Sequence, residues 1–123
     1  MAKVIGTRNV RHVMGAASLV GDKVVNLKGE NLGKVEEIMI NIDSGEVAYA
    51  VLSFGGFLGM GDKLFAIPWE ALTLDEDNKW FALNVSQDKL EKAPGFDKNH
   101  WPDMADTRWS NEINQYYGYQ SMR

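Results

Sequence analysis

Several groups of residues in this sequence have types or spacings that chemistry could use. The run Phe54-Gly55-Gly56-Phe57-Leu58-Gly59-Met60-Gly61-Asp62 has the glycine density of a phosphate-cradling loop. Such loops leave a strand and open a helix, so that backbone N–H groups and the helix dipole meet the anion. Here the β-type residues Lys63 to Ile67 follow instead, and Phe57, Leu58, Met60 and Asp62 are the wrong lining for an anion. The run reads as a hairpin connection in which Phe57, Leu58 and Met60 could form an exposed apolar patch, a common mark of an interface. Asp43, Glu46 and Asp62, and the cluster Asp75-Glu76-Asp77-Asn78, supply carboxylates. Acid–base work needs a pocket that drives two pKa values apart, and carboxylates in turns are ordinarily solvated. The cluster also lacks the glycine and the distal glutamate of a calcium loop.

His12 and His100 are the two imidazoles of the chain. His100 stands near Asp97, Asp103 and Asp106 in sequence, but a metal site would need His12 brought across in space. A surface histidine is the simpler reading. Trp101, Trp109, Tyr116, Tyr117 and Tyr119 could stack nucleic-acid bases. Such platforms lie in basic grooves, whereas residues 93–123 hold four acids against three bases. Packing is the better use. Trp109 and Ile113 either cover the domain or contact a second chain, and large aromatics are frequent interface anchors. No catalytic residue, metal site or cofactor-binding residue emerges.

The elements that hold these residues read as β structure. Lys23–Leu27 is the first strand, after a capped turn at Ser18-Leu19-Val20-Gly21. Leu32 to Asp43 is the next, with Ile38, Ile40 and Ile42 in alternation. Val35 falls one residue out of that phase, so a bulge is expected at Glu36-Glu37, where the strand would bend. Asp43-Ser44-Gly45-Glu46 is a hairpin turn whose glycine takes positive φ. Val47 to Phe54 is apolar on both faces and should be central. Lys63 to Ile67 is a strand that Pro68 stops. Glu70 to Leu74 begins a further strand or a turn into one, Lys79 to Val85 returns after an acidic turn, and Ser86 caps a short helix, Gln87 to Lys92. Ala105, Trp109, Ile113 and Tyr116 or Tyr117 recur at helical spacing, with Pro102 as a start and Gly118 as a stop.

At 123 residues, 45% hydrophobic and 24% charged, the chain suits one globular domain. It has no cysteine, which removes disulfides and thiolate chemistry and leaves the redox compartment open. The net charge of −4 is uneven. Lys3, Arg8 and Arg11 make residues 1–17 basic, read as a solvated arm. Residues 18–92 hold thirteen acids against seven bases. An acidic body disfavours nucleic acid, which needs clustered Lys and Arg. No run approaches the roughly 20 apolar residues of a membrane span. Val13 to Val20 is read as the lead-in to the fold rather than a secretory signal, which favours the cytoplasm.

Taken together, Gly29-Glu30 with Leu32-Gly33-Lys34-Val35, Ile40 to Asp43 with Gly45, Val47-Ala48-Tyr49-Ala50-Val51, Phe54 to Gly59 and Ile67-Pro68-Trp69 resemble the PRC-barrel family. That barrel occurs in the photosynthetic reaction-centre H subunit and in the ribosome-maturation factor RimM. The likeness covers residues 18–92 and is closest to small single-domain bacterial members with a tail like Ala93-Pro94-Gly95-Phe96 and Trp101-Pro102. It implies an all-β fold: a small, strongly bent antiparallel sheet or barrel of about five to seven strands, with a helical extension over residues 93–123. It also implies a non-catalytic protein-interaction module. The expected partner is a second copy, as a homodimer or higher homo-oligomer, with another protein as a further option. Phe57, Leu58, Met60, Trp101, Trp109, Ile113, Tyr116 and Tyr117 are the interaction candidates. An RNA- or ribosome-assembly factor and a small-ligand binder are the alternatives.

Overall fold

The computed structural model describes residues 3–5, 13–55 and 62–119. Among them, seven strands form one bent sheet: β1 (Lys3–Ile5), β2 (Lys23–Val25), β3 (Asn31–Asn41), β4 (Glu46–Gly55), β5 (Asp62–Pro68), β6 (Leu72–Asp75) and β7 (Trp80–Leu83). The order across the sheet is β1-β6-β7-β2-β3-β4-β5. Helix α1 (Gln87–Glu91) and helix α2 (Thr107–Tyr116) follow. The fold is all-β and barrel-like with a short C-terminal helix. Among the described residues, no helix is long and apolar enough to cross a membrane.

The sheet bends because β3 and its neighbours are out of step. Leu32, Val35 and Ile38 are all buried although they are spaced three apart, which a regular strand cannot do. Two irregularities reset the phase. One lies where Lys23 faces Lys34 and Val25 faces Asn31, with Gly33 at φ +100° in the gap. The other lies between Val35 and Glu37, at the bulge expected there. Each inserts a residue and increases the local twist. The core closes around Val24, Leu32, Val35, Leu52, Phe65, Ile67 and Phe81. Full burial of one such side chain contributes about 1.5–3 kcal/mol. Strand β4 lies between β3 and β5, as its two apolar faces require.

Local signals set several boundaries. Gly45 takes φ +76°, and its N–H donates to the Asn41 carbonyl at 2.7 Å to close the β3–β4 turn. The Ser86 hydroxyl accepts from the Lys89 N–H at 3.0 Å and caps α1. Strand β2 stops at Val25, short of Leu27, because Asn26 starts a turn. Its side-chain oxygen accepts from the N–H of Lys28 at 3.0 Å and of Glu30 at 2.9 Å.

Two expectations are corrected. The sheet is not wholly antiparallel: β2 runs parallel to β7, and β1 runs parallel to β6. Parallel neighbours need long crossovers, and the chain between β2 and β7 supplies one by way of four other strands. The N-terminal arm is also not simply solvated, since Lys3–Ile5 pairs with Thr73–Asp75 at the edge of the sheet.

Candidate functional site

The C-terminal segment reaches the sheet through Gly95. A Cβ there would lie 2.8 Å from the Leu64 carbonyl oxygen and 2.9 Å from the Phe65 ring, so only glycine fits so close to β5. The next residue, Phe96, exchanges two backbone hydrogen bonds with Leu64, each 2.8 Å, and so adds one antiparallel bridge along the outer edge of β5. Trp101 then packs on Phe96 with ring centroids 5.1 Å apart, while its indole N–H donates to the Lys98 carbonyl.

Helix α2 begins five residues beyond Pro102, not at it. Asp103 instead makes a local turn, accepting from the Ala105 N–H at 3.0 Å, and Asp106 is the cap that accepts from the Arg108 N–H at 2.8 Å. The helix lies on its own sheet. Ile113 is 1% exposed, and Trp109 meets Tyr49 edge to face at 5.2 Å. Burial raises the Tyr49 phenol's pKa, partly offset by hydrogen bonds with Ser110 and Asn114. The Tyr116 hydroxyl donates to the Lys89 carbonyl at 2.5 Å, tying α2 to α1. Tyr117 is buried, and its hydroxyl has no hydrogen-bond partner among the described residues. Burial and then the neighbouring Tyr116 push its pKa well above the usual value.

The interaction candidates therefore separate. Trp109, Ile113, Tyr116 and Tyr117 pack against this chain's own barrel, and Trp101 at 41% exposure faces solvent. Phe57, Leu58 and Met60 lie outside the described residues. Their flanks do pair, since Gly55 faces Asp62 at the end of the β4–β5 ladder, as a hairpin connection requires.

Two of the carboxylates, Asp75 and Asp97, are spent locally. Asp75 accepts from the backbone and side-chain N–H groups of Asn78 at 3.1 and 2.8 Å, and these bonds lower its pKa. Asp97 holds the His100 ring at 2.8 Å, and this contact is the main cause of its lowered pKa. Both are solvent-exposed turn locks. Among the described residues, no three His, Asp or Glu side chains group as metal ligands.

Two surfaces stand out among the described residues. At the β3–β4 hairpin, Ile40 and Ile42 are 49% and 87% exposed, although Ile38 on the same strand is buried. Their alternation continues past the end of the core. At the other end of β3 lies an open groove of about 690 Å³. Gly21, Gly33 and Gly55 line it together with Lys23, Lys34, Asn31, Ser53 and Phe54.

Sequence reasoning passed over Asn26. This 7% exposed side chain also donates to Glu30 at 2.8 Å and to the Val85 carbonyl at 3.2 Å, fastening the β2–β3 turn to the end of β7. The signal available was an asparagine three residues before a glycine, a turn-forming arrangement.

No curated protein matches the chain. Among solved structures it is similar to the 16S ribosomal RNA processing protein RimM of Pseudomonas aeruginosa, at 15% identity and a TM-score of 0.43. That match covers 67% of this chain and 49% of the other, so the chain spans about half the length of that protein. The sequence model of the PRC-barrel domain matches residues 11–90, which includes β2 through β7, both bulges of β3 and the hairpin. The chain belongs to the PRC-barrel domain family.

Proposed function

We propose that this protein is a non-catalytic assembly module that associates with a second copy of itself through the β3–β4 hairpin. The observation behind this reading is the pair Ile40 and Ile42, large apolar side chains left in water beside the half-buried Val47. An apolar end of this kind is a common feature of association surfaces. The aromatic tail has a different part in this reading. It completes the barrel that presents the hairpin, because its anchors pack within the chain. The setting is cytoplasmic in this proposal. Val13 to Val20 leads into the fold through the 3-10 turn Ala16–Ser18, with Leu19 buried.

Light scattering on the full chain and on I40K/I42K tests the idea. A dimer that becomes a monomer in the variant supports it, and a parent chain that stays monomeric at high concentration refutes it. A role in RNA or ribosome assembly is the rival. Thirteen acids against seven bases over residues 18–92 oppose a broad nucleic-acid face. RNA binding that weakens steeply with salt would favour the rival instead.

A further inference from the structure

We propose that the groove over Gly21, Gly33 and Gly55 docks an acidic polypeptide segment, whose carboxylates are held by Lys23 and Lys34. Register is the first argument. Lys23 faces Lys34 across the β2–β3 pair, Lys34 faces Ser53 across β3–β4, and Lys23 faces Trp80 across β2–β7. Residues directly opposite project to one side, with Cβ atoms about 5 Å apart, and like charges there repel. The fold keeps this unfavourable pair at a groove, where an anion would relieve it.

Charge is the second argument. Among the described residues, both ionisable groups that line the groove are lysines, on a domain where acids outnumber bases thirteen to seven. Among the described residues, neither ammonium makes a salt bridge. Asp22, beside Lys23 in sequence, is drawn by the charge of Lys79 instead. The Lys23 ammonium lies 5.8 Å from the centre of the Trp80 ring, a contact that restrains where the charge sits.

The floor is the third argument. At Gly21 and Gly55 a Cβ would meet nothing within 4 Å, so backbone is left open there and an extended chain can come close, while Gly33 lets β3 approach β4. Gly33 cannot be replaced there: its Cβ would overlap the Ser53 carbonyl oxygen. The Asn31 side-chain oxygen accepts from the Gly33 N–H at 3.1 Å, which leaves the Asn31 NH₂ as a further donor at the rim. A volume of about 690 Å³ is in the range of sites that take small ligands or a few residues. Two lysines on an acidic body match a few carboxylates. A nucleic-acid backbone needs many more cations.

This site is independent of self-association through the hairpin. Lys34 and Ile40 are six residues apart on β3, roughly 20 Å at the usual rise per residue. The test is fluorescence anisotropy with a fluorescein-labelled Glu-Asp-Glu-Glu peptide on the full chain. We expect K23Q and K34Q each to weaken binding about threefold and K23Q/K34Q about tenfold. K23R/K34R should retain binding, and a Gln-Asn-Gln-Gln peptide should not bind. Both lysines are at least partly exposed, so the variants should fold, with melting temperatures at or above the parent's. Equal binding by parent and K23Q/K34Q overturns the proposal, as does no binding by the parent. Complete displacement by inorganic phosphate would make this a small-oxyanion site and also overturn it. So would tighter binding of oligouridylate that is lost in the same variants.

Discussion

Replacing Gly33 with alanine separates two effects that glycine substitutions usually mix. Gly33 sits at φ +100°, where an L-residue is strained, at a cost of about 1–3 kcal/mol. Its new Cβ would overlap the Ser53 carbonyl oxygen and come within 3.0 Å of the Ser53 carbonyl carbon and 3.2 Å of the Phe54 Cα. All three atoms are backbone, so no side chain can swing away. Strands β3 and β4 must part near the Lys34–Ser53 pair, weakening ladder hydrogen bonds of about 0.5–1.5 kcal/mol each. With two such bonds weakened the sum is about 2–6 kcal/mol, a large share of the roughly 5–15 kcal/mol that holds a domain. Gly29 is the control. It has φ +80°, and a Cβ added there would meet nothing within 4 Å, so Gly29→Ala carries the strain alone, about 1–2 kcal/mol. At about 4 °C per kcal/mol for this size, Gly33→Ala should melt about 8–24 °C lower and Gly29→Ala about 4–8 °C lower. Urea denaturation followed by circular dichroism measures both, with m unchanged if only stability moves. Equal losses in the two variants would refute the claim that strand approach at Gly33 is what requires glycine.

Other outcomes follow from single contacts. Ile113→Ala should lose about 2–5 kcal/mol in the same denaturation assay, because the side chain is 1% exposed; a loss under about 0.5 kcal/mol, typical of surface positions, would mean that α2 does not lie on the barrel. Asn26→Ala should lose about 2–4 kcal/mol, since bonds to Lys28, Glu30 and Val85 go together, and hydrogen exchange should rise at the β2–β3 turn. Burial raises the pKa of Asp22 in the folded state, against a weaker pull from Lys79. Its favourable contribution is therefore present below the ordinary carboxylate pKa and fades as pH rises through the folded value. Asp22→Asn should be more stable than the parent at neutral pH, with the gap closing as pH falls below the ordinary carboxylate value of 3.8 when stability is followed against pH.

Much of the local structure could be read from adjacent residues. The Val35–Ile38 phase slip fixed a bulge because side chains alternate with a period of two. Gly45 and Ser86 marked a turn and a cap through bonds to residues three or four away. The two apolar faces of Val47 to Phe54 placed that strand inside the sheet. Helical spacing located α2, but the spacing of Trp109 and Ile113 was equally suited to this barrel or a neighbour's. Only the contacts with Tyr49 and Lys89 decided it.

Other features arise between residues far apart in the chain. Lys23 pairs with Trp80 in parallel, and Lys3 with Thr73. No local pattern encodes such neighbours, because a strand's alternation says which face is buried and not which strand lies beside it. The same holds for the groove. Gly21, Lys34 and Ser53 are separate turn, strand and strand residues in the sequence, and the bulged register of β3 brings them together. Local hydrogen bonding and periodicity thus determined the elements, while closure of one shared core decided which of them meet and which lysines face each other.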